Sequence, residues 1–338
     1  MGVELAGRPI AITGASSGIG RATALACAQA GMPVALGARR VDRLEELAGQ
    51  IRRAGGVAVA IELDVTSDAL SSAFIERAEQ ALGPLHAVFA NAGIGMERPF
   101  HRTSDQQLRE IFEVNLFGTT RVLRPALDRF IQRGRGHAII CSSSLARLPI
   151  PRLGAYGATK AAQWHLGRAM RCELKPLGVQ VSTVHPIGTR TAFFEQAARR
   201  SESPSLSQNT PRAFMQAPER VARAVLACLR RPRAEVWTST TARLALGLLS
   251  TFPALSEPVL DRLARRLARQ GASQAAPQAA ARDDTPAGQR VSTAPSGPTP
   301  AAVPARSAQP LTPASPRRSG PAKIPLELSN ASGTLSIG

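Results

Sequence analysis

Tyr156 is the only tyrosine in a chain of 338 residues, and Lys160, four positions later in AYGATK, is one of its three lysines. On a helix, positions i and i+4 share a face, so this spacing brings an ammonium close to a phenol. A free phenol titrates at about 10 and is a poor base near neutral pH. A neighbouring cation favours the phenolate and lowers that value. A tyrosine tuned in this way can give and take a proton near neutral pH.

A second constellation lies near the start of the chain. TGASSGIG, Thr13 to Gly20, follows the apolar run PIAIT and leads into a helical pattern. Gly14 permits a tight strand-to-helix turn. Gly18 and Gly20 let the backbone approach a pyrophosphate at the helix N-terminus, where free N–H groups and the helix dipole favour anions. The lack of a lysine after the glycines argues against a nucleoside-triphosphate loop. The expected cofactor contacts in this turn are Gly14, Ser16, Ser17, Gly18, Ile19 and Gly20.

After the second apolar run comes GARRVDRL. An acid there would bind a ribose 2′-hydroxyl, whereas a guanidinium suits a 2′-phosphate. Ala38 takes the acid's place and Arg39 and Arg40 follow, which favours NADP(H) over NAD(H); the same arginines could instead open a solvated helix. Asp64 and Val65 follow the third run, with the carboxylate able to accept from an adenine amino group. Asn91, Ala92 and Gly93 form a polar turn after the fourth, beside the place of a cofactor ribose.

The elements that must carry these residues alternate. The runs 9–13, 33–38, 57–63, 85–90, 137–142 and 179–185 have strand length and are apolar at nearly every position, as expected for a sheet covered on both faces. Amphipathic segments separate them, and a seventh short strand is expected at 234–239. Strand and helix repeated in series predict an α/β fold with a doubly wound parallel sheet, in a single catalytic domain over residues 1–240. In 241–270, Leu260, Leu263 and Leu267 share one helix face and Arg262, Arg265, Arg266 and Arg269 surround the other. That helix either packs on the domain or, with LALGLLSTF (244–252), lies on an anionic membrane surface. Residues 271–338 hold 11 of the 26 prolines and no aromatic residue, and read as a disordered tail.

The formal charge of +18 is spread along the chain, without a zinc-finger spacing, an RNP-type aromatic motif or a basic zipper. No nucleic-acid partner is expected. Cys27, Cys141, Cys172 and Cys228 are scattered and fit buried thiols in a reducing cytoplasm. The N-terminus lacks an apolar signal core, and no run approaches the roughly 18 apolar residues of a membrane span. No histidine falls in a metal-ligand motif, so no metal is expected.

TGxxxGxG at 13–20, NAG at 91–93, VN at 114–115, a serine thirteen residues before Tyr156, and YxxxK at 156–160 stand in this order. In these motifs the sequence resembles the single-domain branch of the short-chain dehydrogenase/reductase family over about residues 5–240, which implies a Rossmann fold. By that resemblance Ser143, Tyr156, Lys160 and Asn115 form the catalytic set, Ser142 and Ser144 remaining fallback choices. Ser143 would hold the substrate oxygen, Lys160 would also grip the nicotinamide ribose, and Asn115 would position a water that returns protons to Lys160. Where the family usually has Pro-Gly before a threonine, this chain has HPIGTRT: Ile187 replaces the glycine, and Pro186, Ile187 and Thr189 are the expected contacts. Phe193, Phe194, Phe214 and Met215 fall in the covering segment and suggest an apolar substrate. The resemblance implies a homodimer or homotetramer. Two other readings stay open: a non-catalytic NADP(H)-binding sensor, and a scaffold at the membrane surface through 241–270.

Overall fold

The computed structural model describes residues 2–191, 193, 197 and 215–280, with side chains described up to Leu267. One compact unit spans Met1–Asp284; the second, Thr285–Gly338, lies outside the described residues. Seven parallel strands form one sheet: β1 (Ile10–Thr13), β2 (Val34–Ala38), β3 (Ala58–Glu62), β4 (Ala87–Ala90), β5 (Gly136–Cys141), β6 (Val179–His185) and β7 (Glu235–Trp237). Their order is β3-β2-β1-β4-β5-β6-β7. Helices α1 (Gly18–Gln29), α2 (Val41–Arg53), α3 (Asp68–Leu82), α4 (Asp105–Phe112), α5 (Gly118–Gln132) and α6 (Gly154–Leu174) alternate with the strands. After them come α7 (Pro218–Arg230), α8 (Thr240–Thr251) and α9 (Pro253–Ala280).

Period-2 alternation divides the sheet between two cores. Ile10 and Ile12 point to one side, where Cys27 of α1, Leu44 and Leu47 of α2 and Val221, Val225 and Leu229 of α7 pack. Ala11 and Val88 face the other, against Phe74 and Ile75 of α3 and Val122, Leu123 and Phe130 of α5. Both faces are covered, which is why the strands read as almost unbroken apolar runs. The strand order reverses beside β1, with β2 on one flank and β4 on the other. The loops after β1 and β4 therefore diverge and leave a crevice at their carboxyl ends.

Two details depart from expectation, the length of the last helix and one cysteine, and one of the two open readings of the leucine face is favoured. Helix α9 runs to Ala280, so residues 271–280 are helical where a disordered tail was expected; the five alanines in GASQAAPQAA are strong helix formers. The rest of that expected tail lies outside the described residues. Leu267 is buried and Leu260 and Leu263 are half-buried, so the leucine face expected as one possible lipid anchor packs inward. Cys172 is exposed, unlike the other three thiols, which are buried as expected.

Candidate active site

The glycine turn is built for close approach. Gly14 and Gly18 adopt φ of 66° and 55°, in the left-handed region that a side chain resists. A Cβ on Gly20 would run into the Gly14 carbonyl and come within 2.8 Å of the Asn91 amide. That amide is already committed: Asn91 Nδ2 donates to the Thr13 carbonyl at 3.0 Å, while Thr13 Oγ1 accepts from Asn91 and Ala92 N–H, each at 2.9 Å. Asn91 thus staples the end of β4 to the turn after β1, where the sequence suggested a ribose contact. Gly93 passes close to Asn115 and Lys160, since a Cβ there would lie 3.1 Å from Asn115 Oδ1 and 3.6 Å from Lys160 Nζ.

Helices α3, α4 and α8 have their first N–H groups capped by Ser67, Ser104 and Ser239. Ser17 occupies the same position on α1 and makes no side-chain cap, and the first turn carries no acid. Its hydroxyl accepts instead from Arg40 Nη2 at 3.2 Å, and Ser16 accepts from the same nitrogen at 3.0 Å. Uncapped N–H groups, a turn stripped of Cβ atoms and an adjoining guanidinium fit the pyrophosphate and ribose of a dinucleotide. A recess of about 310 Å³ opens beside them, lined by Ser16, Ser17, Arg21, Arg43 and Glu46. Ile19 packs on the core, Arg39 is exposed, and Val65 is buried against Gly118. Burial pushes the Asp64 carboxyl up, but hydrogen bonds from the Thr66 backbone and hydroxyl, with the Arg39 charge, hold it below the usual range.

Ser143 ends the segment after β5, where its hydroxyl accepts from Leu145 N–H at 3.1 Å, and Tyr156 stands in the first turn of α6. Ser142 faces away, donating to the Lys160 carbonyl at 2.8 Å, and the Ser144 N–H bonds the Pro186 carbonyl. Of the three serines, Ser143 is the one whose side chain acts on the phenol. Tyr156 packs against Ile94, Met96, Ile111 and Ala155, and the Phe193 ring lies 5.6 Å from its own. Phe194 and Phe214 lie outside the described residues.

The electrostatics correct one expectation. Burial pushes the Tyr156 phenol above its usual value, the nearby Cys141 thiol adds to this, and the Ser143 hydrogen bond opposes it. The lysine does not reverse the balance. Lys160 Nζ, itself pulled down by burial with Cys141 opposing, donates to the Cys141 carbonyl at 2.8 Å and to Gln163 Oε1 at 2.9 Å. It sits 5.7 Å from the Tyr156 ring centroid.

Asn115 lies on a π turn, Glu113–Phe117, between α4 and α5. Its side chain accepts from Ile94 N–H at 2.8 Å and donates to the Ile94 carbonyl and Thr159 Oγ1, both at 3.0 Å. Its carbonyl accepts from Gln163 Nε2 and Thr119 Oγ1. Both lone pairs of that carbonyl are taken, so a water held by Asn115 would have to use Oδ1, which accepts only from Ile94 N–H. Gln163 was missed from the sequence, although it lies one turn after Lys160 on the same helix face.

In the loop after β6, Ile187 directs its N–H to Thr238 Oγ1 at 3.4 Å. Thr189 is buried and turned inward, donating to the Ile187 carbonyl and accepting from Gln216, another residue the sequence reading did not single out. Thr191, rather than Thr189, approaches the glycine turn: a Cβ on Gly18 would come 2.9 Å from its methyl group. Among the described residues no cluster suited to a metal ion is present.

Comparison with known proteins places the chain in a family. The short chain dehydrogenase family matches residues 8–202. The Listeria innocua oxidoreductase Lin0452 is 31% identical over 225 residues, covering 66% of this chain and 90% of that protein. A Thermococcus sibiricus alcohol dehydrogenase complexed with 5-hydroxy-NADP is 31% identical, with TM-score 0.60 over 68% of this chain and 95% of that one. A Burkholderia phymatum short chain dehydrogenase/reductase in complex with NAD shares the fold at 24% identity, with TM-score 0.69 over 75% of this chain and 96% of that one. The family match takes in more than half of the chain and both the glycine turn and the tyrosine–lysine turn, so the chain belongs to the short-chain dehydrogenase family and is an NAD(P)-dependent oxidoreductase.

Proposed function

We propose that this oxidoreductase uses NADP(H) to interconvert a carbonyl and an alcohol on an apolar substrate. The observation that carries the reading is Tyr156 in the first turn of α6, with the Ser143 side chain acting on its phenol and the buried Lys160 one turn further on. A bound nicotinamide supplies or takes up the hydride. Ser143 Oγ holds the substrate oxygen, and the Tyr156 phenol delivers its proton to that oxygen during reduction, becoming phenolate. In the alcohol direction the phenolate takes the proton back. Lys160 lends positive charge to the phenolate and has an N–H beyond its two protein bonds for a ribose hydroxyl.

NADP(H) is favoured because Arg40 already stands over Ser16 and Ser17, and no acid occupies the end of β2. Phe193 over Tyr156, and the apolar cluster of Ile94, Met96 and Ile111 behind it, favour an apolar substrate. The test is a panel of aldehydes and ketones assayed with NADPH and NADH, with Tyr156→Phe alongside. Turnover that survives in Tyr156→Phe overturns the proton role; equal kcat/KM with NADH overturns the cofactor assignment.

A peripheral membrane contact through 241–270 has support from the LALGLLSTF part of the expected surface and its junction with α9, rather than from the Leu260, Leu263 and Leu267 face. Leu244, Leu248, Phe252, Leu255 and Val259 are each at least half exposed on α8 and the start of α9. On α9 the face of Leu255 and Val259 continues into Arg262 and Arg266, both exposed. An apolar patch followed by cations suits anionic lipid. Among the described residues no helix is long and apolar enough to cross a membrane.

A further inference from the structure

Gln163 is 1% exposed on the inner face of α6, among residues that are themselves buried: Lys160 at 4%, Thr119 at 6% and Asn115 at 0%. Its Oε1 accepts from Lys160 Nζ at 2.9 Å. Its Nε2 donates to the Asn115 carbonyl at 2.6 Å and to Thr119 Oγ1 at 2.8 Å, and Thr119 Oγ1 donates to the same carbonyl at 2.8 Å. The amide has one workable orientation. Reversed, it would set its NH2 against an ammonium and its oxygen against a carbonyl.

We propose that Gln163 is a positioning residue that ties the Lys160 ammonium to the π turn through its own amide, taking the place of a solvent link between Lys160 and Asn115. The bridge rests on the reading of Lys160 as part of the catalytic set. It is a strut and not a proton relay, because an amide N–H gives up no proton at working pH. With one N–H on Gln163 and another on the Cys141 carbonyl, the ammonium has a fixed station and its third N–H is left for the crevice. A buried ammonium depends strongly on such acceptors, since each charged hydrogen bond replaces hydration that it has lost.

The groups facing Lys160 define what its titration reports. Cys141 approaches from β5 and Tyr156 from the preceding turn of α6; Asn115, Thr119 and Gln163 are uncharged. Removal of the Gln163 oxygen should therefore lower the Lys160 pKa, and a carboxylate in its place should raise it.

The chain contains three lysines, so protein labelled with [ε-13C]lysine gives three side-chain signals. The Lys160 signal is identified by its loss in Lys160→Arg, and circular dichroism checks that each variant folds. In Gln163→Met the Lys160 titration is expected to fall by about one to two pH units; in Gln163→Glu it rises above that of the wild type. Unchanged titration in both, even with lowered melting temperatures, would overturn the proposal. If Gln163→Glu does not fold, an unmoved Lys160 in Gln163→Met overturns it alone. The titration needs neither substrate nor cofactor. A shifted Lys160 without a matching shift in the alkaline limb of kcat/KM supports the strut and counts against the catalytic reading of Lys160.

Discussion

The Lys160 ammonium stops 5.7 Å from the Tyr156 ring centroid, and its two protein hydrogen bonds go to the Cys141 carbonyl and Gln163. Burial holds the pKa of the phenol above the ordinary value, with the Ser143 side chain opposing. A raised pKa keeps Tyr156 protonated, the form needed to donate to a substrate oxygen. Carbonyl reduction should accordingly persist well into the alkaline range, whereas alcohol oxidation, which needs the phenolate, should climb with pH. Tyr156→Phe should lower kcat in both directions by about 10²- to 10⁴-fold. Steady-state profiles in each direction, together with the variant, check the sign and the size.

Arg40 bridges two hydroxyls of the glycine turn with one nitrogen, at 3.0 Å and 3.2 Å from Ser16 and Ser17. Its guanidinium is partly withdrawn from water, and burial with the neighbouring Arg43 and Arg39 charges pulls its pKa down despite Asp42. A dianionic phosphate placed there relieves that crowding of like charge. Arg40→Ala should raise the dissociation constant for NADPH by about 10- to 100-fold, the worth of a charged hydrogen bond. The constant for NADH should change little. Titration calorimetry with both nucleotides separates this from a general loss of folding.

The sheet was legible because each strand declares itself: β1 to β6 are largely apolar runs bounded by glycine, proline or a helical pattern, and all lie inside the expected ranges except β5, which begins one residue early at Gly136. Tyr156, Lys160 and the glycine turn were legible because their residue types are scarce or conformationally special. Asn91 and Thr189, expected as cofactor contacts, also tie their turns through bonds to Thr13 and Ile187 that the sequence did not reveal. Gln163 and Gln216 carried no such flag. A buried amide declares its importance only when its partners, 27 to 48 residues away in sequence, are brought to it by the fold.

Below Ser143 lies a cluster that should govern acid stability. Burial pushes the Glu235 carboxyl up, but the Trp237 and Trp164 indole N–H groups and Arg147 outweigh it and hold its pKa at about 2. The His185 imidazole stacks on Trp237, contacts the Ser143 carbonyl at 3.0 Å, and is pulled by burial to about 4. Both are depressed, so both contribute stability that is lost as pH falls. The His185 contribution goes between its usual 6.5 and about 4, the Glu235 contribution between 4.5 and about 2. Glu235→Gln should be less stable at neutral pH, retain the upper window and lose most of the lower. Melting temperatures measured from neutral to acid pH check this; parallel curves for wild type and variant would contradict it.

The exposed apolar side chains of α8 and its junction with α9 give the remaining prediction. Leu244 is 69% exposed and Leu248 and Phe252 are each 53% exposed, more than isolated surface hydrophobes require. Insertion of two such side chains into a lipid interface recovers about 1.5–3 kcal/mol each when burial is complete. Leu248→Ser/Phe252→Ser should therefore weaken co-sedimentation with anionic phospholipid vesicles by at least about tenfold, while leaving the crevice untouched. Salt should weaken wild-type binding further if Arg262 and Arg266 meet lipid headgroups, because exposed charges are screened over about 8 Å at physiological ionic strength. Unchanged vesicle binding in the double variant, with a fall from dimer or tetramer to monomer by analytical ultracentrifugation, would assign the same patch to a second copy of the chain.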